Sequence, residues 1–166
     1  MIKSVLFVCT GNTCRSVMAE HLLRHRAKEK DIELEVASAG LSAFAGDTAT
    51  EQALEALAEL GIEGLEHRSR RVHPHLLEEY DLILAMTQRH KQQLLEIAPE
   101  LAGKIYLLKE YGKRSPAGQE PEQSIEKEYE ISDPFGQSLA VYRKSRDEID
   151  QAIQVILGQI DGVENG

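Results

Sequence analysis

Residues 4–28, SVLFVCTGNTCRSVMAEHLLRHRAK, decide the fold. Ser4 to Val8 is an unbroken apolar run with β-branched and aromatic side chains, the composition of a strand buried on both faces, so a strand is expected from about Lys3 to Cys9. After Arg15 the period changes. Met18, Ala19, Leu22 and Leu23 share one side while Glu20, Arg24 and Lys28 fall elsewhere, which describes an amphipathic helix entered through Ser16. Between the two, the residues from Thr10 to Cys14 must turn the chain sharply. Strand, tight loop and helix in succession are the unit from which parallel sheets are assembled.

The rest of the chain repeats that unit. Leu34 and Val36 in ELEVASAG alternate as a second strand, and Thr50 to Leu60, stopped by Gly61, reads as a helix. Pro74 to Tyr80 reads as a short helix with proline in its first turn, DLILAM from Asp81 as a third strand, and Thr87 as the cap of a helix reaching about Ala98. Lys104 to Leu108 is a fourth short strand. From Leu139 onward, Tyr142, Ile149, Ile153, Ile156 and Ile160 recur at helical spacing and predict a long C-terminal helix. The expected fold is α/β, a three-layer α/β/α arrangement of a four-stranded parallel sheet, in a single domain spanning residues 1–166. Two stretches look irregular, Gly40 to Thr50 and Gly112 to Gly136. The second contains Pro116, Pro121, Pro134 and the acidic run EPEQSIEKEYE, and is expected to be a mobile functional element or an insertion.

A net charge of −9 argues against nucleic acid or a membrane surface as partner, because the summed field repels a polyanion. Any anion site must therefore be local. Met1 to Val8 lacks the long apolar region of a signal peptide and no stretch approaches membrane-spanning length, so the expected location is the cytoplasm. The two cysteines, Cys9 and Cys14, both lie in the loop, which is no disulfide framework. Cysteine here points to chemistry.

The loop Cys9-Thr10-Gly11-Asn12-Thr13-Cys14-Arg15-Ser16 lies between a buried strand and a helix start, at the C-terminal edge of the expected parallel sheet, where such folds bind ligands. Backbone N–H groups of a turn there can converge, and the helix N-terminus adds partial positive charge, so the concavity suits a tetrahedral dianion. Gly11 and Asn12 are residue types that tolerate left-handed backbone angles. Arg15 supplies a planar fork for two phosphate oxygens, and Cys9, beneath the same positive cradle, is placed as a thiolate nucleophile toward phosphorus. Ser16 can donate its hydroxyl proton to that sulfur.

These residues resemble a family, the low-molecular-weight protein tyrosine phosphatases, whose signature Cys-x5-Arg-Ser appears here as CTGNTCRS. The resemblance runs through SAG at Ser38 to Gly40, DLILAMT at Asp81 to Thr87 and DPFG at Asp133 to Gly136, and within the family it is greatest to the bacterial protein arginine phosphatases. It implies four parallel strands flanked by helices, a phosphocysteine intermediate, no cofactor and no metal. Carried over, Cys9 is the nucleophile, Arg15 the phosphate clamp and Asp133 the general acid. Thr10, Gly11, Asn12, Thr13, Cys14, Ser16 and Phe135 are the expected substrate-binding residues, while Asn12, Ser16, Ser38 and His67 match the polar network that supports the loop. Val17 departs from the pattern by standing where a proline usually opens the helix.

The expected substrate is phosphoarginine on proteins. Tyrosine-directed members usually carry a larger aliphatic residue at the position of Thr13 and a tyrosine at that of Phe135. A threonine hydroxyl can orient a guanidinium or a water near the P–N bond, and Phe135 can stack on the guanidinium plane. The implied partners are arginine-phosphorylated proteins made by a protein arginine kinase, in a bacterial stress response. Cys14 reads either as a redox guard that traps oxidised Cys9 as a disulfide or as a small side chain that fits. The alternatives are a tyrosine phosphatase, an arsenate reductase, which would need cysteines after Cys14 that the chain lacks, and a non-catalytic phosphate-binding module. His67, His73 and His75 have no acidic cluster at ligand spacing, so the six histidines are expected at the surface or in packing roles.

Overall fold

In the computed structural model, which describes residues 1–113 and 129–165, Ser4–Cys9 forms strand β1, with all six residues buried. Burial on both faces follows from the unbroken SVLFV run. Phe7 and Val5 join one apolar layer, while Leu6 and Val8 join the other. The chain turns through the loop into α1 (Arg15–Glu29), returns as β2 (Glu35–Gly40), and continues into α2 (Glu51–Ala58) and α3 (Pro74–Glu78). After β3 (Leu82–Ala85) come α4 (Gln88–Ile97), a 3-10 turn (Pro99–Lys104), β4 (Ile105–Leu107), α5 (Leu108–Gly112) and the long α6 (Leu139–Asn165).

The four strands pair in parallel in the order β2-β1-β3-β4. Cys9 aligns with Gly40 and Val8 with Ala85, so β1, β2 and β3 end at one edge of the sheet. The order reverses at β1, the point where open α/β sheets leave a crevice for ligand. One layer packs α1, α2 and α6 through Met18, Leu22, Leu57, Tyr142, Ile149 and Ile153. The other packs α3 and α4 through Leu76, Leu77 and Leu94. The three-layer expectation holds, with β1 interior to the sheet.

Several boundaries differ from the sequence expectation. The fourth strand stops at Leu107, because Leu108 turns inward as the first residue of α5 and is fully buried in the layer that holds α6. The second strand begins at Glu35 and runs on through Ser38 to Gly40, held by its ladder to β1 rather than by apolar alternation. Thr50 and Thr87 do cap α2 and α4, each accepting a backbone N–H in the first turn. Gly61 takes φ +84 just past α2, the left-handed stop that glycine allows. Of the irregular segment from Gly112 to Gly136, residues 114–128 lie outside the described residues, and with them Pro116, Pro121 and most of the acidic run. Among the described residues no helix is long and apolar enough to cross a membrane.

Candidate active site

The loop after β1 is shaped from outside by bonds to its carbonyls. Cys9 O accepts from Leu41 N, Thr10 O from Ser42 N, and Thr13 O from Thr50 N, at 2.9, 2.9 and 3.0 Å. Asn12 O accepts from Ser69 Oγ and His67 Nε2, both at 2.7 Å. Every peptide here is trans, so the N–H following each outward carbonyl points the opposite way. The amides of Thr10, Gly11, Thr13 and Cys14 therefore face the concave side. That side is a cavity of about 370 Å³ lined by Cys9, Thr10, Gly11, Thr13, Cys14, Arg15, Ser42, Phe44, Asp47, Asp133 and Phe135.

Asn12 holds the turn. Its φ of 56° is left-handed, which costs a non-glycine residue about 1–2 kcal/mol. Three side-chain bonds, each worth roughly 0.5–1.5 kcal/mol net, offset that cost: Nδ2 donates to Ser16 Oγ and Ser38 Oγ, and Oδ1 accepts from Arg70 N. Gly11, by contrast, has no positive φ, so the sequence expectation of left-handed angles at both positions holds for Asn12 alone. The glycine that the loop needs is Gly40. A Cβ there would stand 2.6 Å from Thr10 O and 2.9 Å from Asn12 N, backbone atoms that cannot rotate away. Gly40→Ala is expected to cost about 1–3 kcal/mol of stability by urea unfolding, as an overpacked site does, and to lower kcat at the same time by displacing the loop.

The polar network has a direction. Because Ser16 Oγ accepts from Asn12, its own proton is free for Cys9 Sγ, 2.9 Å away. Ser38 likewise accepts from Asn12 and donates to Glu20 Oε1. Donated protons thus run outward from the Asn12 amide to a carboxylate at one end and to the sulfur at the other. Cys9 is only 3% exposed, yet it is among the residues that line the cavity. Arg15, buried and lining the same cavity, donates Nη1 to Ile131 O at 2.9 Å.

Asp133 stands over this floor. Its Oδ2 lies 3.7 Å from Arg15 Nη2, Oδ1 accepts from Phe135 N at 3.1 Å, and the side chain is 56% exposed. The Asp-Pro turn is anchored just before it, where Ile131 N donates to Met86 O and Ile131 O accepts from Arg15. Thr13 and Phe135, expected from sequence to bind substrate, both line the cavity. Asn12 and Ser16 do not, since both are fully buried; their side chains brace the loop. Cys14 borders the cavity too, but its sulfur is engaged behind the loop, 3.3 Å from Tyr142 Oη. Burial, and then that bond to Cys14, push the Tyr142 hydroxyl up to about 12.

Other members of the site left no mark in sequence. His90, from α4, sets Nε2 2.8 Å from Thr10 Oγ1, and burial, seconded by the Arg15 charge, lowers it to about 4, so the ring is neutral at neutral pH. Glu20, Ser69 and Arg70 close the outer network, and Ser42, Phe44 and Asp47, from the segment after β2, also line the cavity. Phe44 and Phe135 are 77% and 64% exposed, large apolar side chains that also line the cavity. Glu20 and His21 also gather with His67, a cluster invisible to spacing because its members come from α1 and from the segment between α2 and α3.

Residues 4–164 match the family model for low molecular weight phosphotyrosine protein phosphatase. The protein-arginine-phosphatase of Bacillus subtilis (strain 168) is 37% identical over 156 residues, covering 94% of this chain and 95% of the relative. The low molecular weight protein-tyrosine-phosphatase Wzb of Escherichia coli (strain K12) is 39% identical over 149 residues, covering 89% and 83%. Among solved structures, a mutant of YwlE arginine phosphatase with a phosphorylated serine in its active site superposes with a TM-score of 0.83 at 36% identity, covering 95% of each chain.

Proposed function

Since the chain belongs to the low molecular weight phosphotyrosine protein phosphatase family, we propose that it hydrolyses phosphoarginine on proteins through a phosphocysteine intermediate. Cys9 Sγ attacks phosphorus while the P–N bond breaks, and Asp133, as the acid, protonates the departing guanidine nitrogen. The Arg15 fork and the inward amides of Thr10, Gly11, Thr13 and Cys14 follow the charge on the phosphoryl oxygens. In the second step Asp133, now a carboxylate, takes a proton from water as the water oxygen attacks phosphorus and the S–P bond breaks. The Ser16 hydroxyl proton stabilises the sulfur as it leaves.

The mouth of the cavity carries the choice of substrate. Asp47 and Asp133 sit there with Phe44 and Phe135, around a floor that includes Thr13 and Arg15. A phosphoguanidine presents an anion to the floor and a flat, N–H-rich group to the mouth, where carboxylates accept and phenyl faces stack. A phenol ring offers those carboxylates no donor. Relatives of both specificities are about equally identical to this chain, so the pocket residues rather than overall similarity support phosphoarginine.

A methyl or hydroxyl in a pocket wall is worth only about 1–3 kcal/mol, so some phosphotyrosine turnover is expected to remain. Assayed on matched peptides, the wild type is expected to favour phosphoarginine in kcat/KM, and Thr13→Ile to swing the ratio toward phosphotyrosine by about 10–100-fold. A wild type that strongly prefers phosphotyrosine overturns the arginine reading and leaves the phosphatase intact.

A further inference from the structure

Behind the phosphate loop, and not among the residues that line the cavity, Glu20, His21 and His67 each offer one atom with metal-binding capacity, all within 4.8 Å of one another. His21 is the unusual member. It is 6% exposed, and its buried Nε2 has no hydrogen-bond partner among the described residues, standing 3.7 Å from Glu20 Oε2. Buried polar nitrogens are almost always satisfied, so one left bare in a group of donor atoms asks for an explanation.

The loop fixes the tautomer of His67. Its Nε2 lies 2.7 Å from Asn12 O, and since a carbonyl only accepts, Nε2 carries the proton and Nδ1 is the ring nitrogen with a lone pair to offer. Imidazoles that bind metal commonly donate their other N–H to a backbone carbonyl in this way. Glu20 contributes a carboxylate held by Ser38 through Oε1. Two imidazoles and one carboxylate are the donor set of a borderline ion such as zinc, and a poor one for magnesium or calcium.

We propose that Glu20, His21 and His67 form a binding site for a divalent transition-metal ion of the zinc class, connected to the phosphate loop through Asn12 and Ser38. Ligands about 2.0–2.2 Å from a tetrahedral ion stand roughly 3.4 Å apart, so the three side chains draw in by about 1 Å on binding. Arg24 is the competitor. Its Nη1 pairs with Glu20 Oε2 at 2.8 Å and its Nη2 donates to Val36 O at 2.6 Å, so an entering ion has to displace the first contact against the hold of the second, in a side chain that is half exposed. The ion engages two groups that shape the loop, His67 at the Asn12 carbonyl and Glu20 at the Ser38 hydroxyl, so occupancy and loop geometry are linked.

The test uses the full chain with Cys9→Ser and Cys14→Ser, which removes the thiols that would otherwise bind the probe. Cobalt(II) titrated into this protein is expected to bind at one equivalent, with tetrahedral visible bands, no thiolate charge-transfer band, and displacement by zinc. Adding His21→Gln is expected to weaken binding by 10-fold or more, and adding Arg24→Gln, which deletes the competing cation but no ligand, to tighten it. In NMR spectra the ring signals of His21 and His67 broaden under cobalt, while those of His73 and His75 do not. Unchanged affinity in His21→Gln, weaker affinity in Arg24→Gln, or binding at other histidines overturns the proposal.

Discussion

Cys9→Ser is expected to reduce turnover by at least about 10⁴-fold while phosphate binding survives, the largest single effect open to this site. A serine hydroxyl is far less nucleophilic than a thiolate, and Ser16 offers only a donated proton to the atom at position 9, not a base that would ionise it. The cradle itself does not depend on sulfur. Its amides are aimed by outward bonds from Leu41, Ser42, His67, Ser69 and Thr50, and Arg15 is fixed through Ile131, none of which touches Sγ. Steady-state turnover and calorimetric titration with inorganic phosphate separate the two quantities. Activity within tenfold of the wild type would mean that another group attacks phosphorus, and loss of phosphate binding would mean that the sulfur is structural.

Asp133→Asn is expected to lower kcat by about 10²–10⁴-fold, the usual worth of a positioned proton donor. The amide keeps the shape and the Phe135 N–H bond of the turn but can neither give up a proton in the first step nor take one in the second. The loss should shrink for an aryl phosphate whose leaving group departs without protonation, and the Arg15 floor should still bind phosphate. A uniform loss across leaving groups would instead assign Asp133 to holding Arg15, 3.7 Å away.

The composition of the loop that borders this cavity was legible in sequence because it is local. Cys9, Asn12, Arg15 and Ser16 lie within eight residues, between an apolar run and a helical pattern, and chain geometry alone brings them together. That Asp133 would stand near this loop was expected from the DPFG resemblance and not from spacing. What surrounds these residues was not. His90 against Thr10, Arg70 on Asn12, Glu20 on Ser38 and Tyr142 on Cys14 are contacts between distant segments, and such contacts leave no periodicity in the chain. Leu108 reads as the end of a strand and starts a helix instead, because its burial is set by the layer that holds α6.

By itself the sequence determined the parallel sheet, the interior place of β1 and the composition of the phosphate loop, since each follows from hydrophobic period and from the steric freedom of neighbouring residues. Only the tertiary structure decided which way the loop amides face, why Gly40 can carry no side chain, which aromatic and acidic groups share the mouth, and that Glu20, His21 and His67 meet. Those outcomes depend on chain closure between elements dozens of residues apart, where a position's environment is made by packing and not by its neighbours in sequence.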